Sequence, residues 1–159
     1  MFATFPGRAT VFALALFVWG VGAGHGQTPK PDPVVDPLET RVKAFLEGVS
    51  AGETNSAYAM LLRGSQLAKQ TESVKKLVDK TNELKAKYGE CRKFEKIASR
   101  RVGEDLVMMK YLYKCEDFPV VWYFTFYRTP SRSDVTLSEA GAWRTIIVRF
   151  DTDLESLAW

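Results

Sequence analysis

Apolar residues recur at intervals of three and four along the first half of this chain, and at intervals of two along the second. The change falls at Gly89. Leu38, Val42, Phe45, Leu46 and Val49 form one stripe at helical spacing. Asp36 is placed to cap this first helix, Pro37 suits its first turn, and Glu39 stands three after the cap, as in a capping box. Gly52 interrupts the pattern. A short second helix follows, with Ala57, Tyr58, Leu61 and Leu62 turned inward and Gly64 as its stop. The third helix is the clearest. Val74, Leu77, Val78, Thr81, Leu84 and Tyr88 line one side, and Lys75, Lys76, Asp79, Lys80, Glu83 and Lys87 the other. Lys85 and Lys87 fall in its last turn, where the dipole favours cations, and Gly89 ends it.

Beyond Glu90 the segments "CRKFEKIASRRV" and "EDLVMMKYLYKC" meet at Gly103, and "PVVWYFTFYR" follows. A loop, "TPSRSDVTLSEAG", then leads to "AWRTIIVRFDTDL". Three helices followed by four strands predict an α+β domain, with helices segregated to one side of an antiparallel sheet. The third strand is aromatic on both parities. Val120, Trp122, Phe124 and Phe126 make a wholly apolar set that should face the helices. Val121, Tyr123, Thr125 and Tyr127 make a set with three hydroxyls, suited to a partly wet interface.

The second strand divides into Leu106, Met108 and Leu112 against Val107, Met109, Tyr111 and Tyr113. The fourth divides into Trp143, Thr145 and Ile147 against Ile146, Val148 and Phe150. A sheet with one face in water normally alternates more cleanly, and a large exposed apolar patch marks an interaction site. The pattern therefore predicts a homodimer through the outer sheet face, with Tyr111, Tyr113, Tyr123, Thr125 and Tyr127 at the interface. The loop over residues 129–141 is the alternative cover.

The N-terminus lies outside this pattern. Arg8 precedes an apolar run of about 15 residues that ends in small residues, shorter than the roughly 20 a spanning helix needs. It reads as a secretory signal over residues 1–26, with an uncleaved anchor as the alternative. Export to the periplasm or the extracellular space follows, and the signal segment is then the chain's only membrane contact. Residues 27–37 are a proline-rich linker, and residues 38–159 form a single domain.

Removing the signal removes His25, the one histidine of the chain. Without imidazole there is no Ser-His or Cys-His nucleophile and no His metal site. The two cysteines, Cys91 and Cys115, suit a disulfide in an exported protein. Their numbers centre a hairpin on Gly103, and direct opposition needs an odd-length loop or a bulge.

Net charge is only +3, but it is unevenly placed. Residues 63–114 carry fourteen Lys and Arg against seven Asp and Glu. A solvated helix face accounts for this more simply than an anionic partner. The aromatic third strand lacks the glycines of an RNA-recognition strand, so nucleic acid is not expected as a partner. Glu116-Asp117 and Asp151-Thr152-Asp153 lack the spacing of a calcium loop, and neither a metal nor a cofactor is predicted.

"RVKAFLEGVSAGETNSAYAML", "KYGECRKFEKI" and "AGAWRTIIVRFD", in this order, resemble the opening helices, sheet entry and closing strand of the nuclear-transport-factor-2-like, cystatin-like α+β superfamily. The likeness extends over most of the domain and is similar to that superfamily's small exported domains. It implies a curved, cone-shaped four-stranded sheet around the helices, an internal cavity and an outer face that dimerises. Tyr58, Trp122, Phe124, Phe126 and Trp143 would then be cavity walls around a small apolar ligand.

Enzymes of this type place an acidic or imidazole base in the cavity. Here such a base could only be a carboxylate such as Glu95, Asp134, Glu139 or Asp151, aided by a tyrosine. No catalytic residue is assigned. The expected function is a non-catalytic binding or assembly module. The alternatives are a histidine-free isomerase or dehydratase and a purely structural homodimer.

Overall fold

The computed structural model describes residues 32–129 and 143–157. The signal segment, most of the linker and the loop with Asp134 and Glu139 lie outside the described residues. Three helices, α1 (Val35–Ser50), α2 (Thr54–Leu61) and α3 (Thr71–Tyr88), pack against a four-stranded antiparallel sheet. Its strands, β1 (Cys91–Val102), β2 (Leu106–Cys115), β3 (Val120–Arg128) and β4 (Trp143–Asp151), lie in sequence order. Short 3₁₀ turns stand at Gln66–Lys69 and Glu155–Leu157.

The helical stripes are buried as the spacing predicts. Leu38, Val42, Phe45 and Leu46 of α1, Ala57, Tyr58 and Leu61 of α2, and Val78, Thr81 and Leu84 of α3 all face inward. The start of α1 differs from expectation. Asp36 makes no cap and lies in the first turn. Asp32 Oδ1 instead accepts from the backbone N–H of Val34 and Val35, at 2.8 and 3.2 Å. These two bonds hold the Asp32 carboxyl below the usual aspartate range. An earlier carboxylate thus serves the orphan amides, and the helix begins two residues before Pro37. Gly89 closes α3 at φ +77°, where a Cβ would come within 2.9 Å of Glu116 Cβ.

Arg41 ties three elements together. Its guanidinium donates to the carbonyls of Leu61, Arg63 and Trp143 and lies 5.8 Å from the Phe126 ring centroid. Burial, with Arg63 nearby, pulls its pKa below the usual arginine value. The Leu61 carbonyl also accepts from Thr145 Oγ1 at 2.8 Å, so the open end of α2 is satisfied by side chains.

The hairpin of β1 and β2 turns through Gly103, Glu104 and Asp105, a three-residue loop with Gly103 at φ +63°. Paired residue numbers sum to 208 from Val102↔Leu106 to Ala98↔Lys110, and to 207 from Lys96↔Tyr111 to Lys93↔Lys114. At Cys91↔Cys115 the sum is 206. The odd loop and two bulges in β1, at Ile97 and Arg92, therefore bring the cysteines opposite each other. They form a disulfide.

Register decides the faces. On the helix side lie Phe94 of β1, then Val107, Met109, Tyr111 and Tyr113 of β2, with Val120, Trp122, Phe124 and Phe126 of β3. A bulge beside Ile146 brings Thr145 of β4 onto this side with Val148 and Phe150. Thr145 is fully buried, whereas Ile146 and Ile147 are exposed. Phe45 stands at the centre. Its ring meets Tyr58, Trp122 and Phe124 edge-on, at 5.0, 5.3 and 5.6 Å between centroids.

Candidate functional site

Most residues expected to wall a cavity lie in the buried core. Tyr58, Trp122, Phe124 and Phe126 are buried in the core, where Tyr58, Trp122 and Phe124 meet Phe45. Trp143 is half-buried at the edge of the core, with the Arg128 guanidinium over its ring. None of the five lines the pocket described below.

The expected interface residues separate as well. Tyr111 and Tyr113 pair with Trp122 and Val120, and directly opposed residues share a face, so both belong to the core and not to the outer surface. Tyr123, Thr125 and Tyr127 do lie on the outer face. There Thr125 is buried, while Tyr123 and Tyr127 are half-buried. The cations of Arg149 and Lys110 lie 4.1 and 5.7 Å from the Tyr123 ring centroid.

A pocket of about 300 Å³ opens where the C-terminal ends of α1 and α3 meet the start of the sheet. Val49, Leu84 and Cys91 give it apolar walls, and Ser50, Thr81 and Tyr113 bring hydroxyls. Lys85, Glu90 and Arg92 stand at its rim. Each part has a local reason to be there. Ser50 is the last residue of α1. Thr81 and Leu84 share the inward stripe of α3, and Lys85 follows in the last turn. Gly89 reverses the chain so that Glu90 and Arg92 flank the disulfide-bonded Cys91.

The directions of the hydroxyl bonds can be worked out. Ser50 Oγ has one hydrogen and donates it to the Leu46 carbonyl at 2.9 Å. Its 2.7 Å contact with Tyr113 Oη is therefore donated by the tyrosine. Thr81 likewise donates to the Leu77 carbonyl at 2.7 Å, so Tyr58 donates to Thr81 across 3.0 Å. Burial keeps both tyrosines as phenols. It raises Tyr58 to about 12, against a smaller lowering by Thr81, and it raises Tyr113 against a smaller lowering by Ser50.

The rim charges are paired. Glu90 takes Lys85 at 2.7 Å and Arg92 at 3.1 Å, and Arg92 also reaches Glu116 at 3.0 Å. Lys85, then Arg92, hold the Glu90 carboxyl below its ordinary value.

The acids considered as bases lie elsewhere. Glu95 pairs with Lys114 and Asp151 with Arg149, both on the outer side of the sheet. Among the described residues the most buried acid in an ion pair is Glu39, which meets Lys96. Its charge, after burial, adds to the raised pKa of Tyr111, whose hydroxyl is buried without a hydrogen-bond partner. Neither Glu39 nor Tyr111 lines the pocket. Among the described residues no cluster of His, Cys, Asp and Glu is arranged to hold a metal ion, and no helix is long and apolar enough to cross a membrane.

Periodicity and parity missed Ser50, Thr81, Glu90 and Arg92, because the pocket draws on four elements far apart in sequence. The cysteine pair was the available signal, since it marks the end of the hairpin beside which the pocket opens. Comparison of the chain with family models, curated proteins and solved structures finds no match.

Proposed function

We propose that this is an exported, non-catalytic binding module whose ligand occupies the pocket beside the disulfide. The observation that carries this reading is the commitment of the pocket's hydroxyl hydrogens. Ser50 and Thr81 donate to backbone carbonyls, and Tyr113 donates to Ser50. A nucleophilic hydroxyl needs a neighbouring base, and a general base needs an accessible lone pair within reach of the substrate. The one carboxylate at the rim, Glu90, is held by two cations. This favours binding over the alternative of an isomerase or dehydratase.

The disulfide and the short apolar N-terminal run support export. The helix-then-meander order supports kinship with the nuclear-transport-factor-2-like superfamily, and the bulges in both edge strands, β1 and β4, suit a curved sheet. The test is a fragment library followed by saturation-transfer NMR over hours. The reading expects reversible binding with each fragment recovered unchanged. Conversion of a bound fragment at a rate that rises with protein concentration would establish the enzyme instead.

A homodimer through the outer sheet face is the second reading. Met108 and Ile147 favour it, being 46% and 45% exposed there. Light scattering at rising ionic strength tests this. A monomer at all salt concentrations would exclude it.

A further inference from the structure

The pocket's donor count reaches further and says what chemistry its ligand carries; this step rests on the reading of the pocket as a ligand site. Ser50 Oγ spends its hydrogen on Leu46 and Tyr113 Oη spends its own on Ser50. What these two atoms have left is lone pairs. Among the described residues no other donor reaches either oxygen. The hydroxyl side of the pocket is therefore acceptor-only.

It also carries no formal charge. The rim cations and acids are engaged with one another, so a cation placed against Tyr113 and Ser50 would lose water and gain only hydroxyl dipoles. An acceptor-bearing group placed against Tyr113 and Ser50 would leave its own lone pairs facing theirs. Val49, Leu84 and the Cys91 side chain offer apolar contact beside the hydroxyls. A volume of about 300 Å³ is at the small end for ligand sites.

We propose that the pocket selects a small uncharged molecule with an O–H or N–H donor on an apolar body, the donor bonding to Tyr113 Oη. The same accounting makes Ser50 the residue that sets this polarity. Without its oxygen, the Tyr113 hydroxyl loses its acceptor and turns its hydrogen toward the pocket.

The test uses three probes of similar size: benzyl alcohol, its isomer anisole, which has no donor, and benzylammonium. Each is titrated into the ¹⁵N-labelled domain, and amide shifts are followed at Val49, Ser50, Leu84, Cys91 and Tyr113. Benzyl alcohol should bind about tenfold tighter than either of the others, the worth of one good hydrogen bond. In Ser50→Ala the preference for benzyl alcohol over anisole should vanish or reverse, while Tyr113→Phe should weaken benzyl alcohol and leave anisole unchanged. Equal binding of the isomers to the wild type, or an unchanged preference in Ser50→Ala, overturns the donor assignment but leaves the pocket as a ligand site. No shift at the pocket amides with any probe overturns both.

Discussion

Replacing Thr81 by valine should cost more than removing the tyrosine hydroxyl to which it is bonded. Tyr58 is 1% exposed, and its hydroxyl donates to Thr81 Oγ1 at 3.0 Å. Thr81→Val keeps the shape and β-branching of the side chain and deletes the acceptor of that donor. A stranded buried donor costs about 1–3 kcal/mol, so a loss of about 2 kcal/mol is expected. Tyr58→Phe removes the donor itself. Thr81 still donates to Leu77, so the loss is about 1 kcal/mol.

In the double variant neither group is stranded, and its cost should be no greater than that of Tyr58→Phe alone. The double variant is then more stable than Thr81→Val, a coupling of about 2 kcal/mol. Urea denaturation followed by tryptophan fluorescence reads this directly. At a slope of about 1.5 kcal/mol per molar, Thr81→Val lowers the midpoint by about 1.3 M, and adding Tyr58→Phe raises it again. Additive losses would refute the assigned direction of the bond, and with it the reasoning applied to Ser50 and Tyr113.

Other consequences can be measured on the same domain. Phe45→Ala should cost about 3–5 kcal/mol in urea, because it empties the site where three aromatic rings converge; a loss under about 1 kcal/mol would mean the interior is not packed as described. Cys91→Ala with Cys115→Ala should cost about 3.5 kcal/mol, from the closure entropy of a loop with a sequence separation of 24 residues. Reduction by dithiothreitol should reproduce that loss in the wild type and have no effect on the variant. Raising pH should also destabilise the fold through Tyr58. Its native value of about 12 stands above the unfolded value of about 10, so its contribution is complete below pH 10 and is lost as pH rises toward 12. At pH 11 the wild type should have lost about 1 kcal/mol more than Tyr58→Phe, relative to pH 9. Equal losses would contradict the burial of that hydroxyl.

The elements that could be read from sequence were those whose cause is local. The stripes of α1 and α3 are written in three- and four-residue spacing, and the stop at Gly89 in a residue that tolerates positive φ. The parity of β3 foretold that Trp122, Phe124 and Phe126 would be buried. Parity could not say which set of β2 shares that face. Tyr111 and Tyr113 were grouped with Tyr123 by their hydroxyls, but the hairpin register places them opposite Trp122 and Val120. The bulge at Ile146 similarly brought Thr145 inward beside Val148 and left Ile146 exposed. Pro37 marks a good first-turn position and points to Asp36 as the cap of α1, but Asp32 reaches the free amides from further back. Tyr58, Trp122 and Phe124, expected as cavity walls, pack against Phe45, which the sequence shows only as one member of a stripe. The pocket was hidden for a different reason. Its hydroxyls and charges meet only once the disulfide end of the hairpin packs beside the ends of α1 and α3.

The most direct test of the central claim is a crystal of the domain soaked with benzyl alcohol. The account predicts density for one molecule between Val49, Leu84 and Cys91, with its hydroxyl within 3.2 Å of Tyr113 Oη. An empty pocket under saturating alcohol, or the molecule seated with its ring against the hydroxyls and its oxygen in solvent, would contradict it.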